Sequence, residues 1–185
     1  MNPTTAAYAA TTLSFLFGGT AAVWYAVPWL RSRSRAAALI SLLWIQALRY
    51  VAFQIFSAKA TGFDVPDDIR DRIAYGDALS AVLAFATIGA LHYRSPIGVA
   101  LAWVFSAVGI ADLLSAMAGG VQANLFAKAA GTTWLILTFY VPVLWLSHVL
   151  IIWQLVVPFP GWRIVMRTGV DHRICDEVAR QIRVV

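Results

Sequence analysis

The sequence predicts an all-α integral membrane protein: a bundle of five transmembrane helices, a short helix on the outer surface and an amphipathic cytoplasmic tail. Three observations carry that prediction. Of the 185 residues, 61% are hydrophobic and 12% charged, against about half and about a quarter in soluble domains. The apolar residues gather into five runs near the ~20 residues that a helix needs to cross a bilayer. The 14 Lys and Arg fall between and after those runs, with Arg49 as the exception. Backbone groups in hydrocarbon must be bonded within their own segment, so each run is expected to be a helix.

The first span covers residues 8–30. A cleaved signal would need positive charge ahead of it, but residues 1–30 hold no Lys or Arg, and the charges follow at Arg31, Arg33 and Arg35. The span is therefore expected to be retained, with its N-terminus outside. Gly18 and Gly19 mark a close helix contact.

The second span, residues 36–56, contains LLWIQALRYVAFQIF. At helical spacing Gln46, Arg49, Tyr50, Phe53 and Gln54 fall within an arc of about 140°, with Trp44 opposite. That polar face is expected to look into the bundle. The next stretch, FDVPDDIRDRIAYG, has Asp64 as a cap, Pro66 in the first turn and early acids, which suit a short surface helix. The third span covers residues 77–93, the fourth 97–117 and the fifth 133–156. Pro142 interrupts the fifth, four residues after Thr138, so a local kink is expected there. Residues 1–157 form the membrane domain. In the tail, 158–185, Thr168 and Asp171 form a capping-box pattern. Ile174, Val178 and Ile182 then make an apolar stripe between charges, as on a helix that lies on a membrane.

Five crossings from an outside N-terminus place Arg31, Arg33, Arg35, Arg94, Arg163, Arg167, Arg173, Arg180 and Arg183 in the cytoplasm. Only Lys59, Arg70, Arg72 and Lys128 lie outside. The bias obeys the positive-inside rule for a plasma (inner) membrane. The charge reads as membrane orientation, with the bilayer as partner and no nucleic acid. Trp29, Trp134, Trp153 and Trp162 fall near span ends, where amphipathic rings anchor. The single Cys175 allows no internal disulfide or zinc motif.

Ionisable groups inside a membrane are costly and mark functional sites by default. Arg49 lies about 10 Å below the outer edge and Asp112 about 8 Å. Asp112 shares its helix face with Gly98, Ala102, Gly109 and Ala116, residues that let helices approach closely. Arg49 and Asp112 are thus expected at one depth, at a tight contact. With Gln46, Gln54, Asp77 and Tyr140 they form the candidate ligand site, a polar pocket open to the outside. The competing readings are a structural ion pair and an arginine snorkelling to the headgroups. His148, Trp145 and Thr138 are secondary candidates on one face of the fifth span.

No cofactor is expected. A haem held by His92 and His148 would need both at similar depth, and they differ by about 10 Å. Asp67, Asp68 and Asp71 spell DDxxD, a magnesium pattern. The single copy beside Arg70 and Arg72 reads instead as acids at a helix start. Size, five spans and tryptophan content resemble the tryptophan-rich sensory protein family, but its Trp-Pro motifs are absent, so nothing is carried over from it. No Walker loop, GxGxxG, HExxH or GxSxG is present, so a soluble-enzyme site is unsupported. The expected function is binding or transport of a small molecule or ion through the outer pocket. Two alternatives stand beside it. One is a non-catalytic subunit whose polar faces meet a partner membrane protein or a second copy. The other is an intramembrane enzyme using Asp112 and His148 for proton transfer.

Overall fold

A computed structural model describes residues 2–58, 63 and 65–157. The expected tail helix, its capping box, and the Asp64 cap lie outside the described residues. Among the described residues there is no strand. Five helices are long and apolar enough to cross a membrane: α1 (Pro3–Arg31), α2 (Arg35–Ala58), α3 (Asp67–His92), α4 (Gly98–Gln122) and α5 (Gly131–Val156).

Capping chemistry sets several helix ends where hydropathy alone would not. α1 begins at Pro3, earlier than its apolar run, because the Asn2 side chain accepts a hydrogen bond from the Thr5 amide at 2.8 Å. Proline at the first position needs no donor there. α2 begins after Ser34, whose hydroxyl accepts from the Ala37 amide. Arg94 and Asn124 take left-handed backbone conformations in the turns after α3 and α4.

α3 corrects the sequence reading. The expected surface helix is not a separate element. Asp67–His92 is one helix of 26 residues, and DDIRDRIAYG forms its opening turns. Gly76 and Asp77 each have a reason to lie inside the helix: Gly76 admits a neighbouring side chain and Asp77 meets a cation, as described below. Pro66 precedes the first turn, and its carbonyl accepts from the Arg70 amide.

Three irregular turns interrupt the long helices. α1 carries a π turn at Ala22–Ala26 and α5 one at Ile136–Tyr140. Each ends two residues before a proline, Pro28 or Pro142, whose missing amide releases a carbonyl. α2 tightens to a 3₁₀ helix over Leu48–Phe53. That turn corrects the expected polar arc. Gln46 and Arg49 are fully buried, but Tyr50 and Phe53 are exposed. Gln46 lies in the α-helical part just before that turn, and the tighter turn keeps Arg49 inward while Tyr50 and Phe53 face outward.

α3 and α4 run antiparallel in close contact, and glycines set their register. At one end Gly98 lies against Leu91; midway Gly76 lies against Asp112; at the other end Gly119 lies against Ile69 and Arg72. Two apolar clusters fill the interior. One gathers Leu30, Leu39, Leu43, Ile88, Phe105 and Ile151 toward the Arg35 end. The other gathers Ile55, Phe63, Ile69, Ala74, Ala123 and Leu125 toward the opposite end. Along α2, the buried Gln46 and Arg49 fall between the two clusters. Arg31 covers the Trp153 ring and Arg33 the Trp29 ring. Large apolar side chains such as Phe17, Trp24, Val82 and Val121 face outward.

Candidate functional site

The centre of the site is Arg49. The 3₁₀ turn of α2 aims its guanidinium across the bundle, where it meets three groups from two helices. Its Nε donates to Asp77 Oδ1 on α3 at 2.6 Å. Its Nη2 donates to Asp112 Oδ2 on α4, and its Nη1 to the Gly109 carbonyl at 3.3 Å. Ser80, one turn after Asp77, donates to the same Asp112 oxygen at 3.5 Å. Arg49 is completely buried, while the Asp77 and Asp112 side chains keep 14% and 11% of their surface exposed. A planar fork that bonds in several directions suits this role, where a point-charge ammonium would not.

Glycine allows this approach. A Cβ on Gly76 would collide with the Asp112 carboxylate, and one on Gly109 would lie 2.8 Å from the His148 ring and 3.3 Å from Arg49 Nη1. The sequence reading placed Gly109 on the small-residue face of Asp112, and the structure shows what that face admits.

The other candidates ring this centre. Gln46 donates to the Leu144 carbonyl at 3.1 Å and to Ser147 Oγ at 2.7 Å, tying α2 to α5. Gln54 and Thr133 bond through their side chains at 3.0 Å. Tyr140, at the end of the π turn, donates to the Ile45 carbonyl at 3.0 Å, in the α-helical part of α2 just before the 3₁₀ turn. Thr138 is buried, and its hydroxyl bonds the Trp134 carbonyl of its own helix.

A cavity of about 170 Å³ opens beside these groups. Among the described residues its charged lining comes from Arg49 and Asp77; Thr11, Gln54, Thr133 and Tyr140 add polar groups. Its walls are otherwise mostly apolar, among them Phe15 of α1, Leu113 and Met117 of α4, and Leu137 and Trp145 of α5. Four of the six primary candidates, Arg49, Asp77, Gln54 and Tyr140, line it, as does Trp145. Asp112 and Gln46 stand behind the lining, each bonded to another member of the site. An apolar pocket with a few convergent polar groups is the ordinary form of a small-molecule site.

His148 is enclosed outside the cavity. Its ring stacks on Phe105, with centroids 5.2 Å apart and planes 11° from parallel. Both ring nitrogens are buried without a hydrogen-bond partner, and Asp112 is engaged with Arg49 and Ser80 instead. The proposed proton-transfer pair therefore makes no direct hydrogen bond. His92 is exposed at the end of α3 with its ring edge-on to Tyr93, so the two histidines share no contact. Of the DDxxD acids, Asp67 and Asp71 both accept from Arg70, at 2.7 Å and 2.6 Å.

Ser80, Thr133, Ser147 and Gly76 are site residues that sequence reasoning missed. Ser80 follows Asp77 by three positions, the spacing of one helix face, so it was readable once α3 was taken through Asp77. Thr133 and Ser147 carried no local signal. The family profile described as a domain of unknown function (DUF8737) matches residues 7–156. No curated protein and no solved structure matches the chain.

Proposed function

The chain belongs to the DUF8737 family, whose function is unknown, and we propose from its site that it is a small integral membrane protein that binds or transports a small molecule through the polar cavity. The observation that carries this reading is the meeting of a buried, fully engaged arginine with an apolar-walled space. Arg49 and Asp77 belong at once to the ion-pair centre and to the cavity lining. A structural ion pair alone would need no adjoining space. Ala116, one turn beyond Asp112 on α4, lines the cavity. Native mass spectrometry of the purified protein should show a bound small molecule that Ala116→Phe removes. Identical adducts on both proteins would place the ligand elsewhere and sink the assignment.

The cavity belongs to the outer half of the bundle if the N-terminus is outside. The distribution of Lys and Arg supports that orientation, with nine named above on the cytoplasmic side and four on the outer. A reporter fused after Val185 should be active only in the cytoplasm, and one inserted within residues 59–62 only outside. The opposite pattern would turn the cavity toward the cytoplasm.

A further inference from the structure

The charges at the centre do not balance. One guanidinium meets two carboxylates, Asp77 and Asp112. Arginine keeps its charge in any protein setting. Among the described residues, Arg49 is the one cation bonded to Asp77 and Asp112. From α5, His148 faces the centre across Gly109, but as an imidazolium it would carry two N–H donors, and neither ring nitrogen has an acceptor. Tyr140, also from α5, spends its hydroxyl on the Ile45 carbonyl. From α1 only Thr11 and Phe15 reach the cavity. Arg72 sits at Gly119, two turns along α4 from Asp112 and about 10 Å away. Arg70 is committed to Asp67 and Asp71.

One of the two carboxylates that share this single cation borders the cavity. Asp77 is the acid in the lining, and Arg49 bonds one of its oxygens. The space beside it, about 170 Å³, is walled mostly by apolar side chains. An engineered apolar cavity of about 150 Å³ in another protein takes a benzene ring, so the volume suits one ring or a short chain. A proton could balance the charge, but it would make no use of an apolar-walled space. A cation with an apolar body satisfies both features together.

We propose that the cavity takes a small apolar molecule with a protonated amine, its head on Asp77 and its body against Leu113, Leu137 and Trp145. This rests on reading the cavity as a binding site. The test uses three probes of one shape, benzylamine, benzyl alcohol and benzoate, titrated into the full chain in nanodiscs of neutral lipid and followed by calorimetry. Benzylamine should bind about tenfold more tightly than benzyl alcohol, the effect of one hydrogen bond to a buried charge. Benzoate should bind weakest. Asp77→Asn should abolish the amine's advantage while benzyl alcohol still binds. Asp112→Asn should reduce that advantage without altering the lining, because it too cancels the excess charge. Ala116→Phe should weaken all three probes. Equal binding of amine and alcohol to the unaltered protein would overturn the cation preference and leave the cavity as a binding site. Binding of all three probes unaffected by Ala116→Phe would overturn the cavity reading itself.

Discussion

Arg49→Ala is expected to cost about 3–5 kcal/mol of stability, the loss typical when one partner of a buried ion pair is removed. The structure makes the case more severe than a simple pair, because the substitution strands two carboxylates, Asp77 and Asp112. It also makes the acids unequal to the arginine. Asp77→Asn or Asp112→Asn alone leaves a one-to-one pair and should lose no more than about 1.5–3 kcal/mol, the worth of a hydrogen bond to a charged group. Together the two amides leave the buried guanidinium with no counter-charge, and their combined loss should exceed the sum of the single losses. Arg49→Ala joined to both amides should lose less than the sum, with a coupling of about 0.5–3 kcal/mol as for residues in contact. Arg49→Lys should restore little, since an ammonium cannot serve three directions at once. Unfolding in mixed detergent micelles, followed by tryptophan fluorescence, measures each loss. Strictly additive losses would mean that the three side chains do not touch.

The pairing of Arg49 with Asp112 was legible in the sequence, because equal depth and an inward face are properties of spacing alone. The five long helices were legible for the same reason, since hydropathy reports what a segment must bury. The errors fall where the backbone leaves regular geometry or where a contact replaces a local signal. Tyr50 and Phe53 were drawn onto the polar face by a constant helical angle, and the 3₁₀ turn at Leu48–Phe53 moves them outward. The third span read from residue 77 is too short, because the charged turns DDIRDR ahead of it read as a separate surface helix. Gln54, expected on the arginine's face, does line the cavity, but its hydrogen-bond partner is Thr133, 79 residues along the chain. No periodicity links those two positions. The cavity itself had no sequence signal, because an empty space is a property of five helices together.

Gly76→Ala should destabilise the protein while Gly89→Ala, in the same helix, should not. A Cβ at Gly76 would overlap the Asp112 carboxylate, whereas at Gly89 nothing lies within 4 Å. Crowding a packed interior costs about 1–3 kcal/mol when neighbours can shift. Asp112 is poorly placed to shift, because Arg49 and Ser80 hold it. Moving it also breaks the ion pair, so the loss at Gly76 should approach the larger figure for a severed buried pair, about 3–5 kcal/mol. At Gly89 the added methyl only improves the helix, by about 0.5–1 kcal/mol. Unfolding midpoints of the two variants should thus move in opposite directions. A background carrying Asp112→Ala sharpens the comparison, because it deletes the atoms that the new methyl would strike. There Gly76→Ala should cost much less than in the unaltered chain, while the effect of Gly89→Ala should be unchanged. If Gly76→Ala proved as harmless as Gly89→Ala in the unaltered chain, α3 and α4 could not meet at Asp112. The ion-pair centre would then lack the close helix contact on which it is built.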